Sequence, residues 1–242
     1  MNWKSFFSLF KDSLYAYLKN PVLIVPTGIL LILLVAFSNF SVFLNKVLTS
    51  EIQLKIWLVV YTLISIIVVS FLLSALIGMS GEVLEKRAKL KRGIHYVKKY
   101  GIKNLVLIVI FLVSYNIINF VTFHSSLFIS KALNLEVESA KWIFLSFYFV
   151  GLIGVIIFLT FSSFYLVLKN KTIVGSIKSS ARLVEKRYIE TLCVILVFFV
   201  IYKIFDLIDI RVVTEIINAV FIVPYFSLVL TKFILLFDKD DV

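Results

Sequence analysis

The chain has 242 residues, of which 61% are hydrophobic and 16% are charged, and its formal net charge is +11. A soluble globular domain is roughly 45–50% apolar and about 25% charged, so this composition argues against a water-soluble fold. The single cysteine, Cys193, excludes a disulfide within the chain and a metal site built from several cysteines. The composition therefore predicts an integral membrane protein.

Six long apolar segments follow one another along the chain. Each contains about 20 residues or more, which as a helix crosses the ~30 Å hydrocarbon core of a bilayer. A β-barrel would need alternating strands of about ten residues, and these segments do not alternate. The sequence therefore predicts an all-α polytopic integral membrane protein with six transmembrane helices. Their approximate bounds are 21–44, 56–80, 104–123, 142–168, 189–210 and 213–236.

Positive charge is concentrated in every second connection between these segments. Three lysines precede the first segment. The connection 82–103 contains eight Lys and Arg and two acidic residues, and the connection 169–190 contains six Lys and Arg and two acidic residues. Basic connections remain cytoplasmic, so both termini are predicted to lie on the cytoplasmic side of a prokaryotic cell membrane. Topology then accounts for the net charge, which argues against a nucleic-acid partner and favours anionic lipid headgroups.

Each basic connection has the pattern of a helix that lies along the membrane surface. In the first, Phe6, Phe10, Leu14 and Tyr17 recur at helical spacing among polar residues. Apolar residues recur in the same way in 173–188, whereas the middle connection, about 84–102, is more basic and less cleanly amphipathic. Such helices bind at the boundary between headgroups and acyl chains.

The chain repeats a phrase, which indicates an internal repeat. It reads KNPVLIV at Lys19–Val25 and KNLVLIV at Lys103–Val109, 84 positions later, and six of the seven residues agree. The segment that begins at Leu105 is also similar to the one that begins at Leu192. We interpret the phrase as the same corner in two copies, where a surface helix turns into the membrane. Three units of surface helix plus helical hairpin are predicted in one membrane domain, 1–242, at about 3–80, 84–168 and 172–236.

This layout, with Pro224 followed by Val229-Leu230 in the last segment, resembles a widespread group of prokaryotic six-helix membrane proteins. They are related to the membrane domain attached to some glycerophosphodiester phosphodiesterases. The resemblance covers the whole chain and rests on layout. It implies no established activity for the membrane part, because the catalytic barrel of such enzymes would follow the last span.

Small and polar residues inside the predicted spans form two candidate sets. Ser70, Ser74 and Gly78 lie at intervals of four residues, which lets two helices approach closely. Asn116 and Asn119 lie in the third span, where an amide must face protein or water. We interpret these two amides either as hydrogen-bonding groups between helices or as the lining of a polar cavity.

Several patterns bear on catalysis. Gly78–Gly81 reads GMSG, which resembles the G-x-S-G of rhomboid proteases, but a serine nucleophile needs a nearby base. Neither His95 nor His124 lies in a later span that faces Ser80. Metalloprotease, P-loop, dinucleotide-binding and C-x-x-C motifs are absent from the sequence. We therefore predict a protein that is not an enzyme and that needs no cofactor or metal.

Charged residues also surround the last outer turn, where we interpret them as helix caps or, alternatively, as an ion gate. This group comprises Lys203, Asp206, Asp209, Arg211 and Glu215.

The densest basic stretch supplies the candidate lipid-headgroup ligands, which are Lys86, Arg87, Lys89, Lys91, Arg92, Lys98 and Lys99. The leading hypothesis is a scaffold or lipid-interacting module that acts through its basic cytoplasmic surface helices. A membrane protein is a possible further partner. The alternative is a transporter or channel-like protein with a polar path between the repeats, and an intramembrane enzyme is the third hypothesis.

Overall fold

The computed structural model describes residues 3–47, 50–133, 136–207 and 211–237. Within these ranges the chain is helical and contains no β-strand. A 3₁₀ turn occupies Pro21–Leu23 and a π-helical segment occupies Asn218–Ile222. The α-helices are α1 (Trp3–Lys19), α2 (Ile24–Val47), α3 (Glu51–Glu85), α4 (Leu90–Ala132), α5 (Val137–Thr160), α6 (Ser162–Leu168), α7 (Ile173–Lys186), α8 (Tyr188–Asp206), α9 (Arg211–Ile217) and α10 (Val223–Phe237).

Several of these helices are long and apolar enough to cross a membrane. Among the described residues they are Glu51–Glu85, Leu90–Ala132, Tyr188–Phe205 and Val212–Phe237, and the bent pair of α1 and α2 passes the same test together. Only 6% of the apolar window in α3 is buried within the chain, against 56% of the window in the last segment. An apolar surface left this exposed suits lipid. The chain is therefore a helical, membrane-embedded protein, and the segment Val212–Phe237 is the most buried of these four long helices.

The core lies at one end of the bundle, which we call the closed end. This end contains α1, the α3–α4 connection at 86–89 and the α6–α7 connection at 169–172. The opposite end, which we call the open end, contains the start of α3 and the end of α4, and its large apolar side chains are mostly exposed. The largest fully buried side chains of the core include Leu9, Ile77, Phe161, Tyr165, Leu230 and Phe233.

A sharp corner joins α1 to α2, as the first copy of the repeated phrase predicts. The two helices meet at 91°. Pro21 has no N–H to continue α1, and it keeps Asn20 out of the helical region, at φ −132° and ψ 66°. The Asn20 side chain then donates to the carbonyl of Ala16 at 2.9 Å and caps the end of α1. Proline and its preceding asparagine thus make this corner.

The second copy of the phrase makes no corner, so that prediction was wrong. α4 runs unbroken from Leu90 to Ala132, and 84–102 forms no separate helix. The reason is the one residue that differs, because Leu105 donates a backbone N–H where Pro21 cannot. Asn104 stays helical and is fully buried. Its side chain contacts two other helices instead of capping its own.

Two further predicted spans contain interruptions. The predicted span 142–168 is divided at Phe161, whose buried ring stacks on Phe233 with 5.5 Å between ring centroids. The predicted span 213–236 contains the π-helical segment, in which the Val223 N–H donates to the carbonyl of Asn218, five residues back. Pro224 has no N–H to offer the carbonyl four residues before it, which leaves that group open to another donor.

Candidate functional site

The seven basic residues predicted to bind lipid headgroups are all exposed at the closed end of the bundle. They occupy the α3–α4 connection and the first three turns of α4. We call this surface the basic face, and its members are Lys86, Arg87, Lys89, Lys91, Arg92, Lys98 and Lys99.

The basic face is exposed because the other side of α4 packs against α3. Gly93 and Gly101 are buried there, since the Met79 sulfur and the Phe71 ring occupy the space that a side chain would need. Leu90 and Ile102 lie beside the basic residues and are 47% and 70% exposed. The same surface therefore offers cationic groups and apolar side chains together, as surfaces that contact the lipid interface do.

The charge of the basic face is mostly uncompensated. Glu82 is buried at the end of α3, and its Oε1 lies 3.6 Å from Nε of Arg92. Among the described residues, no ion pair involves the other six members of the face. Lys99 lies over the ring of Tyr100, with 5.0 Å from Nζ to the centroid. The face therefore has a strong positive potential that favours anions.

The predicted small-residue stripe lies in the core, where α3 meets its neighbours. Ser70, Ser74 and Gly78 are all buried. A side-chain carbon at Gly78 would lie 2.2 Å from Cγ of Tyr96 on α4. The carbonyl of Ser70 accepts a hydrogen bond from Nδ2 of Asn104 at 3.1 Å, also on α4. The two helices approach closely because Gly78 has no side chain and because the Asn104 amide bonds to the Ser70 carbonyl.

Asn104 also reaches a third helix. Its Oδ1 accepts a hydrogen bond from the hydroxyl of Ser163 on α6 at 2.6 Å. This buried amide joins α3, α4 and α6, and sequence reasoning did not select it. Its signal was present in the repeated phrase, where Asn20 and Asn104 occupy the same position.

Ser80 of the GMSG phrase has a serine as its partner. Its hydroxyl oxygen lies 3.0 Å from that of Ser227 on α10, and both residues are buried. His95 and His124 are exposed on α4. The pair of hydroxyls joins α3 to α10, and it offers no base to activate either oxygen.

The two predicted intramembrane amides lie on the outside of the bundle. Asn116 and Asn119 are exposed at the surface of α4. The Asn116 amide donates to the carbonyl of Leu112 in its own helix at 2.8 Å. Both amides line an open groove at the surface of α4, together with Val113, Ile117, Phe120 and Phe123. The sequence gives the polarity of a residue, and the packing of α4 against α3 and α5 decides which way it faces.

A cavity of about 520 Å³ lies between α2, α3 and the last helical segment. Cavities of roughly 300–1,000 Å³ bind small molecules in many proteins. We call this space the open-end cavity. Its lining includes Leu31, Asn39, Tyr61, Val212, Glu215 and Asn218. Sequence reasoning missed it, although polar residues three apart in the last apolar run, followed by Pro224, are a usable signal.

The charged group at the last outer turn is only partly described. Asp209 and the side chains of Asp206 and Arg211 lie outside the described residues. The hydroxyl of Thr214 donates to the carbonyl of Phe205 at 3.2 Å, which ties the end of α8 to α9. Glu215 is half-buried in the wall of the open-end cavity.

Three polar contacts hold α1 against α10 and the π-helical segment. The Tyr17 hydroxyl donates to the carbonyl of Val220. The Tyr225 hydroxyl donates to the carbonyl of Phe10 at 3.2 Å. Lys232 forms an ion pair with Asp12. The N-terminal helix is therefore fixed to the last helical segment of the bundle.

Residues 7–237 match a protein family described as a domain of unknown function (DUF7847). The chain belongs to this family. Comparison with curated proteins and with solved structures found no match. The likeness of this DUF7847 member to the membrane domain of glycerophosphodiester phosphodiesterases stays a prediction from layout.

Proposed function

We propose that this protein is a non-enzymatic, lipid-interacting membrane module whose basic face binds anionic lipid headgroups. One observation carries the proposal: seven exposed cations lie together beside exposed apolar side chains, and a single buried carboxylate pairs with one of them. Each basic residue near an anionic membrane surface contributes about 1 kcal/mol. Phosphate groups of lipids are the anions that such a surface meets in a bilayer.

The topology that goes with this function is also a proposal. Six spans in three related units would place the closed end, the basic face and both termini on the cytoplasmic side of a prokaryotic cell membrane. The alternation of basic and balanced connections supports this orientation. Single cysteines at Lys89 and Ser139, in a Cys193→Ser background, test it. An impermeant thiol reagent should label Ser139→Cys in intact cells and Lys89→Cys only after the membrane is opened.

Lipid association measured by electron spin resonance tests the lipid-binding function. The full chain is reconstituted into phosphatidylcholine bilayers that contain a trace of spin-labelled phosphatidylglycerol or phosphatidylcholine. We expect the anionic lipid to associate several-fold more strongly, and 1 M salt should remove much of the difference by screening. Glutamine at all seven positions of the basic face should make the two lipids nearly equal.

Lysines at the open end supply the matched control. Glutamine at Lys55, Lys131 and Lys141, which are exposed there, should leave the preference for phosphatidylglycerol nearly unchanged. The proposal fails if the basic face can be neutralised without loss of the preference, or if the open-end variant loses as much.

A transporter or channel-like protein is the second candidate function, and the open-end cavity is the observation that favours it. The cavity lies between helices of the first and third predicted units and has polar groups in its wall. A cysteine at Asn218, exposed to a water-soluble thiol reagent in native membranes, tests for a hydrated path. Labelling would favour transport, and protection, with Ser125→Cys labelled as the control, would oppose it.

A further inference from the structure

The open groove at the surface of α4 carries two amides at the depth of the hydrocarbon core. Between Lys103 and Lys131 the helix contains no Lys, Arg, Asp or Glu, and Asn116 and Asn119 lie in the middle of this stretch. Asn119 precedes Lys131 by 12 residues, which is about 18 Å along the helix and more than half of the ~30 Å hydrocarbon thickness. When α4 crosses a bilayer, both amides therefore lie deep among the acyl chains.

The chain leaves hydrogen-bonding capacity of these amides unused. A carboxamide has two N–H donors and one acceptor oxygen. Asn116 uses one N–H, on the carbonyl of Leu112, whereas its Oδ1 accepts no hydrogen bond among the described residues and Asn119 makes none there. Every residue that lines the groove belongs to α4, so no other described helix covers it. Acyl chains offer neither donors nor acceptors, so amides at this depth require a protein partner.

Apolar side chains extend the groove along α4 at a regular spacing. We call this surface the α4 seam, and its members recur at alternating intervals of four and three residues. The apolar members are between 41% and 65% exposed, so the seam is not occupied within the chain. This is the heptad spacing by which two helices pack side by side, with a crossing angle of about 20°. The α4 seam comprises Val109, Val113, Asn116, Phe120, Phe123 and Leu127.

The occupant that matches both features is the same helix of a second chain. An amide is donor and acceptor at once, so Asn116 of one chain complements Asn116 of another. Two copies have the same orientation in a membrane, so a two-fold axis along the membrane normal makes their α4 helices parallel and places each seam residue opposite its counterpart. A single asparagine in an apolar seam also fixes the register, because the two amides meet in one register only.

We propose that the chain forms a parallel homodimer through the α4 seam, with the two Asn116 amides hydrogen-bonded to each other in the middle of the membrane. Asn119, three residues further along the helix, lies beside this pair. The amide matters for the association of two chains and not for the fold of one, because within the chain Asn116 bonds only to its own helix.

This interface is separate from the basic face. The α4 seam begins at Val109, beyond the basic residues of 86–99. Association through it requires no anionic lipid, so the dimer is tested in pure phosphatidylcholine bilayers. A failure of headgroup binding at the basic face would leave the result unaffected.

Cysteine cross-linking of the full chain locates the interface. In a Cys193→Ser background, Phe120→Cys places a thiol in the α4 seam, and Val121→Cys places one on the next residue, which is also exposed but lies about 100° around the helix. Copper phenanthroline, a lipid-soluble oxidant, should convert Phe120→Cys into a disulfide-linked dimer at least tenfold faster than Val121→Cys. Equal rates for the two variants, or cross-linking of neither, would overturn the assignment to the seam.

Förster energy transfer between chains measures the strength of association. Donor and acceptor dyes are attached to separate populations of the chain through Lys55→Cys, at an exposed position, in the same background. Transfer should rise with the protein-to-lipid ratio as expected for a dimer, and excess unlabelled chain should remove it. A chain that stays monomeric at every ratio would overturn the proposal.

Three variants test the amide pair in the same assay. Asn116→Leu keeps an apolar side chain of similar size and should weaken dimerisation at least fivefold, whereas Asn116→Gln keeps the amide and should retain most of it. Ser125→Leu, an exposed polar position on the opposite side of α4, is the control and should associate like the wild type. Wild-type association by Asn116→Leu would rule out the amide pair. Cross-linking of Phe120→Cys in native membranes to another protein, with the pure chain monomeric, would assign the seam to a different partner and refute the homodimer.

Discussion

The hydroxyl group of Tyr17 donates its hydrogen bond to the backbone carbonyl of Val220, a residue 203 positions later in the chain. That carbonyl lies four residues before Pro224, whose missing N–H would be its partner in a regular helix. The N-terminal helix therefore supplies a donor to a carbonyl that has lost its regular α-helical partner. α1 is thus part of the bundle, and the following predictions concern the contacts that hold the bundle together.

Loss of the Tyr17 hydroxyl should destabilise the protein. In Tyr17→Phe the ring stays against Phe221, but the partly buried carbonyl of Val220 loses this donor. We expect a loss of about 1–3 kcal/mol in the free energy of unfolding. Thermal unfolding in detergent measures it. Tyr15→Phe, at an exposed position of the same helix, is the control, and an equal effect of both substitutions would contradict the interpretation.

A methyl group at Gly78 should separate α3 from α4. It would lie 2.2 Å from Cγ of Tyr96, near the root of that side chain, so the ring cannot simply swing away. Overpacking of this kind costs about 1–3 kcal/mol, and we expect Gly78→Ala to unfold at a correspondingly lower temperature. Gly28→Ala meets no atom within 4 Å and should be neutral or slightly stabilising. Equal melting temperatures for the two variants would rule out this close contact.

Removal of the Asn104 amide should loosen three helices at once. Asn104→Ala deletes the hydrogen bonds to Ser70 and Ser163, and it leaves the Ser163 hydroxyl without that acceptor. The expected cost is about 1–2 kcal/mol. Asn116→Ala is the matched control, because that amide is exposed and bonds only within its own helix, so a change below about 0.5 kcal/mol is expected. The free energies of unfolding of Asn104→Ala and Asn116→Ala, compared in a denaturing detergent, test this prediction.

Proline at position 105 should break α4. Leu105→Pro removes one N–H from a continuous helix and clashes with the preceding turn, which costs about 3 kcal/mol or more. The change makes the phrase at 103–109 identical to the one at 19–25. Leu105→Ala controls for the loss of the side chain. If Leu105→Pro unfolded at the same temperature as Leu105→Ala, the helix would not depend on this backbone group.

The sequence was informative where one residue controls the backbone. Long apolar runs predicted helices suited to a membrane, and the first copy of the repeated phrase predicted the corner between α1 and α2. The repeated phrase misled at Leu105, because six matching side chains do not restore the effect of one proline. The interruption at Asn218–Ile222 was not predicted, although Pro224 indicates an unsatisfied carbonyl upstream. The identity of its donor, Tyr17, depends on tertiary contact.

The same distinction applies to the candidate sites: features of one local segment were predicted, whereas features that depend on tertiary packing were not. Exposed cations at 86–99 were predicted, because their density and position in a connection already imply solvent or headgroups. The exposure of the Asn116 side chain was not predicted. α4 is apolar on most sides, and only its packing against neighbouring helices decides which side is exposed. The open-end cavity joins residues of three distant segments, and no spacing in the sequence places Leu31 opposite Asn218.

The unbroken course of α4 has a mechanical consequence. Its 43 residues extend over about 65 Å, roughly twice the thickness of the hydrocarbon core of a bilayer. The helix carries the basic face at one end and Ser125 near the other, with no joint at Leu105 between them. A force that tilts the end of α4 that carries the basic face must therefore also swing the other end of the same helix, about 65 Å away.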